Sequence, residues 1–281
     1  NVSATCEVNL GEKEPAVGYL LGEVHEGIKQ KVVEMDENQT RLIFRSYRNT
    51  ARVYKNTIAD EVAEIEAAGG EAIANGANVA KYDEVEAMVK AAMDQWGRVD
   101  ILVNAARQVT LTDPLDPSDD SIQSLLDQNL MTSLRVSQAV ARKMIKQAED
   151  QPEGQAGSIV NLSSIAARRT SPDLMGYSIA SAALDQMTRS LAVALASKRI
   201  RVNAVAPGYT QTPMTEKVEN DPTYGEAIRE FMASIPVGFP GKPADQAAAV
   251  SFLLSPEARF ICGSVLFVDG GHDAVFRPDQ V

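Results

Sequence analysis

Three consecutive segments of the sequence decide the fold: "GSIVNLSS" at residues 157–164, "GYSIASAALDQMTRSLAVALASK" at 176–198 and "IRVNAVAPG" at 200–208. The first and third are short apolar runs, which are typical of strands buried on both faces. The middle segment is long and repeats its apolar residues at helical spacing. A strand, a helix and a second strand in this order predict two parallel strands joined by a helix that packs on the sheet.

The same alternation continues towards the N-terminus. Helical patterns cover residues 83–97 and 121–147, and strands are predicted at "RLIF" (41–44), "EAIANGANV" (71–79) and "RVDILVNAA" (98–106). Repeated alternation of strands and helices predicts a parallel sheet with helices on both faces. We therefore predict an α/β fold, a single doubly wound, Rossmann-like domain that spans residues 1–281.

Composition and charge exclude several classes of function. The 281 residues carry a formal net charge of −11, whereas proteins that bind nucleic acids present basic faces to the phosphates. No apolar run reaches the roughly 18 residues of a transmembrane helix, and residues 1–18 lack the basic flank and apolar centre of a signal peptide. We therefore expect a cytoplasmic protein that binds neither nucleic acid nor membranes.

The cysteines and histidines are few and isolated. Cys6 and Cys262 lie near opposite ends of the chain, and His25 and His272 are equally far apart. A zinc site needs such residues at short, regular spacing. The sequence therefore predicts no metal site.

Six motifs between residues 58 and 272 point to one family. They are "DILVNAA", "QNLMTS", "GSIVNLSSIA", "GYSIAS", "RVNAVAPGYTQTPM" and "GSVLFVDGG". In this order and spacing they resemble the short-chain dehydrogenase/reductase family, with residues 1–50 as the divergent part of the chain. The resemblance implies that an asparagine, a serine and a tyrosine act on a carbonyl or an alcohol, and it assigns these roles to Asn129, Ser164 and Tyr177.

A fourth catalytic residue that the resemblance implies is missing. The family has a lysine one helical turn after the tyrosine, and this chain has Ser181. A nearby ammonium stabilises the phenolate that a proton-transferring tyrosine forms, whereas serine supplies no charge. We therefore expect an inactive remnant, in which Tyr177 packs in the core and bonds Ser164. Asn129 would then distort its helix or bind water, and Ser164 would begin a loop.

The positions that would bind a dinucleotide also depart from the family. Its T-G-x-x-x-G-x-G turn is represented by Gly18 and Gly22, with Val24 at the third glycine position. Glycines there allow the backbone to approach the pyrophosphate. The remaining degenerate or retained contact positions are Asn78, Asn104, Arg107, Pro207, Gly208 and Thr212. These departures predict a chain that binds no cofactor.

The sequence thus favours a noncatalytic, cofactor-free subunit that supports an intact homologous dehydrogenase for alcohols or hydroxyacyl compounds. In this interpretation the partner carries NAD(P), and the resemblance implies a heterotetramer built through helices 121–147 and 177–198 and the C-terminal strand. One alternative is an active reductase with an unorthodox site, in which Arg45 and Arg48 favour NADPH. Another is a regulator that binds a small molecule. For the heteromeric dehydrogenase, three arginines in loops that face the substrate could bind an anionic acyl group, namely Arg107, Arg168 and Arg169.

Overall fold

The computed structural model describes residues 17–21, 41–44, 58–67, 70–116, 119–150, 153–212, 215–216, 219–222 and 225–275. It confirms the α/β prediction, because seven parallel strands form one sheet in the order β3-β2-β1-β4-β5-β6-β7. The strands are β1 (Val17–Leu21), β2 (Arg41–Phe44), β3 (Glu71–Ala74), β4 (Ile101–Asn104), β5 (Gly157–Leu162), β6 (Ile200–Pro207) and β7 (Val265–Val268).

Helices precede or follow most of these strands. The described α-helices are α1 (Ile58–Ala67), α2 (Tyr82–Trp96), α3 (Ser121–Leu125), α4 (Thr132–Glu149), α5 (Met175–Ala196), α6 (Gly225–Ala233) and α7 (Pro243–Leu254). A π-helical turn, Leu126–Met131, joins α3 to α4. Short 3-10 turns lie at Ile165–Ala167, Pro172–Leu174 and Pro256–Ala258.

Two apolar layers cover the two faces of the sheet. The first joins α2, α4 and the last turns of α5 to β4, β5 and β6, with Met88, Val140 and Ile159 fully buried. The second places α7 and part of α1 against the opposite face, with Val250, Val160 and Ile65 buried. Every residue of β4 and β5 is buried, as expected for central strands covered on both sides.

Helix α2 shows why the sequence pattern worked. Its side chains at Val85, Met88, Ala92 and Trp96 recur at helical spacing and are buried. The helix ends at Gly97, which adopts a left-handed conformation with φ of 77° and donates its N–H to Met93 O at 2.8 Å. This glycine conformation is a common way to satisfy the last carbonyls of a helix.

The long helix predicted at residues 121–147 is interrupted. The π-helical turn at Leu126–Met131 separates α3 from α4, and Asn129 is fully buried within it. A wider turn of this kind changes the direction of its side chains and often marks a functional site. The alternative in which Asn129 distorts its helix therefore agrees with the structure.

None of the helices in the described parts of the chain combines the length and the apolar character needed to cross a membrane. Within the same residues, the His, Cys, Asp and Glu side chains form no group of three that could hold a metal ion. Cys262 is a free, exposed thiol. Cys6, His25, Arg45 and Arg48 lie outside the described residues.

Candidate active site

The candidate site lies at the carboxyl edge of the sheet. The strand order reverses between β1 and β4, which are neighbours in the sheet. In open parallel sheets, ligands bind in the crevice outside the carboxyl ends of the strands at such a switch point. The strands around this point end at Leu21, Asn104, Leu162 and Pro207.

Tyr177 lies in the first turn of α5. It is 8% exposed and packs in a small cluster with Leu125, Ala166 and Ala180. The preceding residue, Gly176, makes this packing possible, because an added Cβ would lie 2.8 Å from Thr112 Oγ1 and 3.2 Å from Ile122 Cα. The start of α5 can therefore approach α3 closely and hold Tyr177 in place.

Asn129 holds the loop that follows β4. Its side-chain oxygen accepts a hydrogen bond from Gln108 N at 2.7 Å, and its side-chain nitrogen donates to Gln108 O at 2.8 Å. Both polar groups of one loop residue are thereby satisfied by one buried side chain. Asn129 consequently fixes the backbone next to Arg107, and it acts on the site through this loop.

Ser164 follows the end of β5 and caps the 3-10 turn at Ile165–Ala167. Its Oγ accepts a hydrogen bond from Ala166 N at 3.1 Å. Ala166 in turn packs against the cluster of Tyr177, so the two candidate residues belong to adjoining elements. A hydroxyl that accepts one bond can still donate another, and Ser164 therefore keeps its donor for a ligand.

Ser181, at the position of the missing lysine, is fully buried one turn below Tyr177. Its hydroxyl donates to Tyr177 O at 2.7 Å and accepts from Arg107 Nη2 at 2.6 Å. Arg107 also donates from Nη1 to Leu162 O at 3.0 Å, and its Cζ lies 5.1 Å from the centroid of the Tyr177 ring. A guanidinium group thus lies beside the tyrosine although no lysine follows it.

Two polar atoms near this arrangement have no partner among the described residues. They are Arg107 Nε and Asp185 Oδ1, and both are buried. Asp185 lies one turn beyond Ser181 on the same face of α5. Burial raises the pKa of the Asp185 carboxyl above its usual value, although a hydrogen bond from Ser163 and the charges of Arg189, Arg107 and Arg168 oppose the shift.

Asp185 and Ser163 were missed in the sequence. An aspartate that lies four residues after Ser181 on the buried face of a helix is a signal that could have identified Asp185, since charged residues are almost never fully buried without a partner. The position of Ser163 next to Ser164 gave no comparable signal.

Several positions predicted as remnants of a cofactor site have structural partners. Asn104 bonds Ser137 Oγ and Asn161 Oδ1 at 2.9 and 2.8 Å, and Asn78 Oδ1 accepts from Ala80 N at 3.0 Å. Thr212 N donates to Thr215 Oγ1 at 2.7 Å. These bonds are sufficient to explain the three residues locally.

Pro207 and Gly208 mark the turn that leaves β6. Pro207 is the last residue of this strand, and Gly208 N donates to Val268 O at 3.0 Å. An added Cβ on Gly208 would lie 2.6 Å from Asp269 Cα, so a larger residue would force the two segments apart. The close approach of two backbone segments is sufficient to explain this glycine.

The predicted role of Gly18 as a turn is wrong. Gly18 is a strand residue of β1 and pairs with Leu42 of β2 and Ile101 of β4. Because β1 ends at Leu21, the residue that follows the strand is Gly22, with Gly27 five positions later. Gly22 and Gly27 lie outside the described residues. The apolar run "VGYLL" directly before a glycine was the signal for this register.

The loop arginines do not form one cationic patch. Arg168 Nη1 and Arg169 Nε pair with the Asp273 carboxylate at 2.9 and 3.2 Å, and Arg168 also lies over the Phe267 ring at 4.4 Å. Arg107 makes its hydrogen bonds to Ser181 and Leu162 instead. The expectation that the three arginines together bind an anionic group is therefore not met by their contacts.

Comparison with known proteins agrees with this geometry. A family model described as enoyl-(acyl carrier protein) reductase matches residues 47–273. The chain belongs to the short-chain dehydrogenase/reductase family. Over 218 residues it is 38% identical to a 3-oxoacyl-[acyl-carrier-protein] reductase of Synechocystis sp., covering 77% of this chain and 82% of that protein.

Two solved structures extend the comparison. A 7α-hydroxysteroid dehydrogenase complexed with NADH and 7-oxo glycochenodeoxycholic acid is 27% identical, with a TM-score of 0.77 over 92% of this chain and 94% of that one. An NAD⁺-bound xylitol dehydrogenase is 25% identical, with a TM-score of 0.79 over 92% of this chain and 100% of that one.

The prediction of a cofactor-free chain is contradicted by these findings. The matching family model and the Synechocystis relative are named as reductases, and the two neighbouring structures contain NADH or NAD⁺. The prediction relied on departures from the family's glycine turn, and one of these positions, Gly18, lies inside a strand. The switch point between β1 and β4 is present. This arrangement of strands fits a dinucleotide, because open parallel sheets bind dinucleotides at such a point.

Proposed function

We propose that the chain is an NAD(P)-dependent oxidoreductase that interconverts a carbonyl group and an alcohol. The observation that carries the proposal is that the Arg107 guanidinium lies over Tyr177 at the carboxyl edge of the sheet, while the turn that Ser164 caps packs on the Tyr177 cluster through Ala166. Together they offer a proton donor, a hydrogen-bond donor and a fixed cation. These are the groups that assist proton transfer to a carbonyl oxygen.

The proposed chemistry divides the work between the cofactor and the chain. When bound, the nicotinamide cofactor supplies the hydride that adds to the carbonyl carbon. Tyr177 donates its hydroxyl proton to the carbonyl oxygen, so that the product is a neutral alcohol, and then regains a proton from solvent. Ser164 donates a hydrogen bond to the same oxygen and orients the substrate.

Several residues would hold the cofactor in this proposal. The segment that begins at Gly22, directly after β1, would lie against the pyrophosphate. The resemblance assigns Pro207, Gly208 and Thr212 to the nicotinamide side, and the structure has Thr212 buried beyond the end of β6.

The substrate class that we propose is a 3-oxoacyl thioester. The support is the 38% identity to the Synechocystis protein named as a 3-oxoacyl-[acyl-carrier-protein] reductase. A carbonyl two carbons from a thioester is also a substrate that a single proton donor and a hydride can reduce without further groups. Either coenzyme A or a carrier protein could bear the thioester.

The test is a reduction assay with acetoacetyl-CoA and either NADH or NADPH, followed through the absorbance of the reduced cofactor. Wild-type protein should turn over, and Tyr177→Phe should lower kcat about 100-fold, within the usual contribution of a general acid. Tyr82→Phe, at an exposed tyrosine of α2, is the matched control and should leave kcat unchanged. Absence of both turnover and saturable cofactor binding at millimolar concentration would refute the proposal.

A second candidate is a noncatalytic subunit that supports an intact homologous dehydrogenase. It is favoured by the uncharged Ser181 below Tyr177 and by exposed apolar side chains on α5, where Ile179 is 42% and Val193 82% exposed. Such side chains suit a protein interface. Leu125, Val136 and Leu184, by contrast, are buried in the core of this chain and are not available to a partner.

This second candidate function has a precedent within the family. Heteromeric members that pair a degenerate with an intact subunit include 2-[hydroxy(phenyl)methyl]succinyl-CoA dehydrogenase. Native mass spectrometry of protein from its source cells would then show a heterotetramer with an intact homologue. Tyr177→Phe in that complex would leave turnover unchanged, whereas the equivalent change in the partner would abolish it.

A further inference from the structure

One buried face of α5 carries Tyr177, Ser181 and Asp185, each four residues apart. Residues at this spacing lie above one another on a helix. Ser181 is fully buried, and its hydroxyl bonds the carbonyl of Tyr177 at 2.7 Å. A serine hydroxyl has two acceptor lone pairs in addition to its donor, so it can also receive a hydrogen bond from a cation.

Arg107 is that cation. Its guanidinium bonds Ser181 Oγ at 2.6 Å and Leu162 O at 3.0 Å, and its Cζ lies 5.1 Å from the Tyr177 ring centroid. The group is therefore fixed by α5, by the end of β5 and by an aromatic face. A guanidinium is planar, always charged and suited to stacking on an aromatic ring.

The loop that carries Arg107 is itself fixed. Asn129 satisfies both backbone polar groups of the next residue, Gln108, at 2.7 and 2.8 Å. The backbone next to Arg107 is therefore fixed by a residue of the π-helical turn. This limits how far the guanidinium can move from Tyr177. Such preorganisation is what makes a charge effective during a reaction, because it costs no rearrangement at that moment.

We propose that Arg107, anchored by Ser181, is the positioning cation for proton transfer by Tyr177. The inference rests on the proposed oxidoreductase function. When Tyr177 gives its proton to a carbonyl oxygen, negative charge develops on the tyrosine oxygen, and a fixed guanidinium beside the ring stabilises it. Ser181 contributes by being small enough to admit the guanidinium and by accepting its hydrogen bond.

The inference assigns linked roles to two residues far apart in the sequence. Arg107 supplies the positive charge, and Ser181 holds the guanidinium by accepting its hydrogen bond. A substitution at either position therefore also affects the role of the other residue. A lysine at position 181 would have no acceptor for the guanidinium, because an ammonium only donates hydrogen bonds. The two positions should therefore depend on each other in a double-mutant cycle.

The experiment compares Arg107→Ala, Arg107→Lys, Ser181→Ala and the double variant Arg107→Ala/Ser181→Lys. Steady-state reduction of acetoacetyl-CoA gives kcat and KM, and cofactor fluorescence without substrate gives the Kd for NADH and NADPH. Arg107→Ala should lower kcat about 100-fold with the cofactor Kd changed less than about threefold. Arg107→Lys should retain at least a tenth of wild-type kcat, and Ser181→Ala should lower kcat about tenfold.

The double variant tests the charge itself. Moving the cation from position 107 to position 181 should restore kcat at least tenfold relative to Arg107→Ala. Arg142→Ala, an exposed arginine of α4 that pairs with Glu86 at 2.7 Å, is the matched control. Its kcat should equal that of the wild type.

Each of the following results would overturn the inference. They differ in whether the proposed oxidoreductase function survives. If Arg107→Ala keeps kcat within threefold while Tyr177→Phe abolishes turnover, the function stands and Arg107 has no role in it. If kcat and cofactor affinity fall together, or the double variant gives no rescue, Arg107 only supports the fold or the cofactor. If wild-type protein shows neither turnover nor cofactor binding, the proposed function fails and this inference fails with it.

Discussion

Arg201 and Arg107 lie on opposite sides of the same sheet along the strand direction, Arg201 at the amino edge and Arg107 beyond the carboxyl edge. The hydrogen-bond donors of their guanidinium groups are satisfied to different degrees. Arg201, near the start of β6, is 6% exposed. Its three nitrogens donate to Gln155 Oε1 and to the carbonyl oxygens of Leu253, Leu254, Ser255 and Ile261 at 2.8 to 3.4 Å. The carbonyls at the end of α7 have no partners within the helix, and Arg201 caps them.

Arg107, beyond the carboxyl end of β4, keeps a buried Nε without a partner among the described residues. Its other contacts are to Ser181, Leu162 and the ring of Tyr177. An unsatisfied buried donor is unfavourable, and native structures retain few of them outside functional sites. The comparison teaches that the buried arginine at the amino edge of this sheet has every nitrogen satisfied, whereas the one at the carboxyl edge leaves a nitrogen without a partner beside Tyr177.

The largest effect on stability should come from substituting Arg201, whose guanidinium donors all have partners. Arg201→Met removes the donor to the carbonyls of Leu253, Leu254 and Ser255, whereas the Ile261 carbonyl keeps its hydrogen bond from Asn203. The free energy of unfolding should therefore fall by about 3 kcal/mol. Urea denaturation of the two proteins measures the difference. Arg142→Met, at an exposed ion pair, should cost less than about 1 kcal/mol. Equal losses in the two variants would mean that Arg201 is not a structural cap.

The two arginines also show where sequence analysis succeeds and where it ends. The strands "ILVN" and "SIVNL" were predictable, because continuous apolar runs indicate central parallel strands and both are buried throughout. The burial of Arg201 was not, since its carbonyl partners lie more than fifty positions away and leave no pattern in the sequence. Arg107 and Ser181 are separated by 74 positions, and only the fold brings them together.

The error at β1 has a different physical origin. The spacing of Gly18 and Gly22 matches two glycines of the family's cofactor turn, so the resemblance predicts a turn at Gly18. Pairing with β2 on one side and β4 on the other nevertheless places Gly18 inside a central strand. A match of residue types at the right spacing therefore gave the wrong register, because it did not include the strand pairing.

A smaller effect should follow when the loop that carries Arg107 loses its hydrogen bonds to Asn129. Asn129→Ala leaves the N–H and C=O of Gln108 without their side-chain partners, and the loop beside Arg107 should loosen. We expect a loss of about 2 kcal/mol in unfolding free energy and a roughly tenfold lower kcat, equivalent to about 1.4 kcal/mol. Denaturation and the acetoacetyl-CoA assay measure the two quantities.

The matched control for Asn129→Ala is Asn220→Ala. The Asn220 side chain donates to Glu216 O at 2.7 Å in an exposed turn, so its loss should change neither quantity appreciably. An Asn129→Ala protein with the stability loss but wild-type kcat would break the link between this loop and the chemistry. Arg107 would then be held in place by Ser181 and Leu162 alone.

The smallest effect concerns the carboxylate that lies on the same face of α5 as the Arg107 anchor. Because burial raises the folded-state pKa of Asp185 above its unfolded value, the protonated form is favoured in the folded protein. Its contribution to stability is therefore greatest below the unfolded pKa of about 4 and is lost as pH rises through the folded pKa. Asp185→Asn removes this titration while retaining the size of the side chain.

At neutral pH, Asp185→Asn should thus be at least as stable as the wild type, and the difference between the two proteins should narrow as pH falls towards 4. Urea denaturation at several pH values between 5 and 8 tests the sign. If the variant is instead less stable and the deficit grows with pH, Asp185 is an ionised partner of the neighbouring arginines. The cation beside Tyr177 would then be balanced by a buried carboxylate, and the carboxyl edge would resemble the satisfied amino edge more closely than its unpartnered atoms indicate.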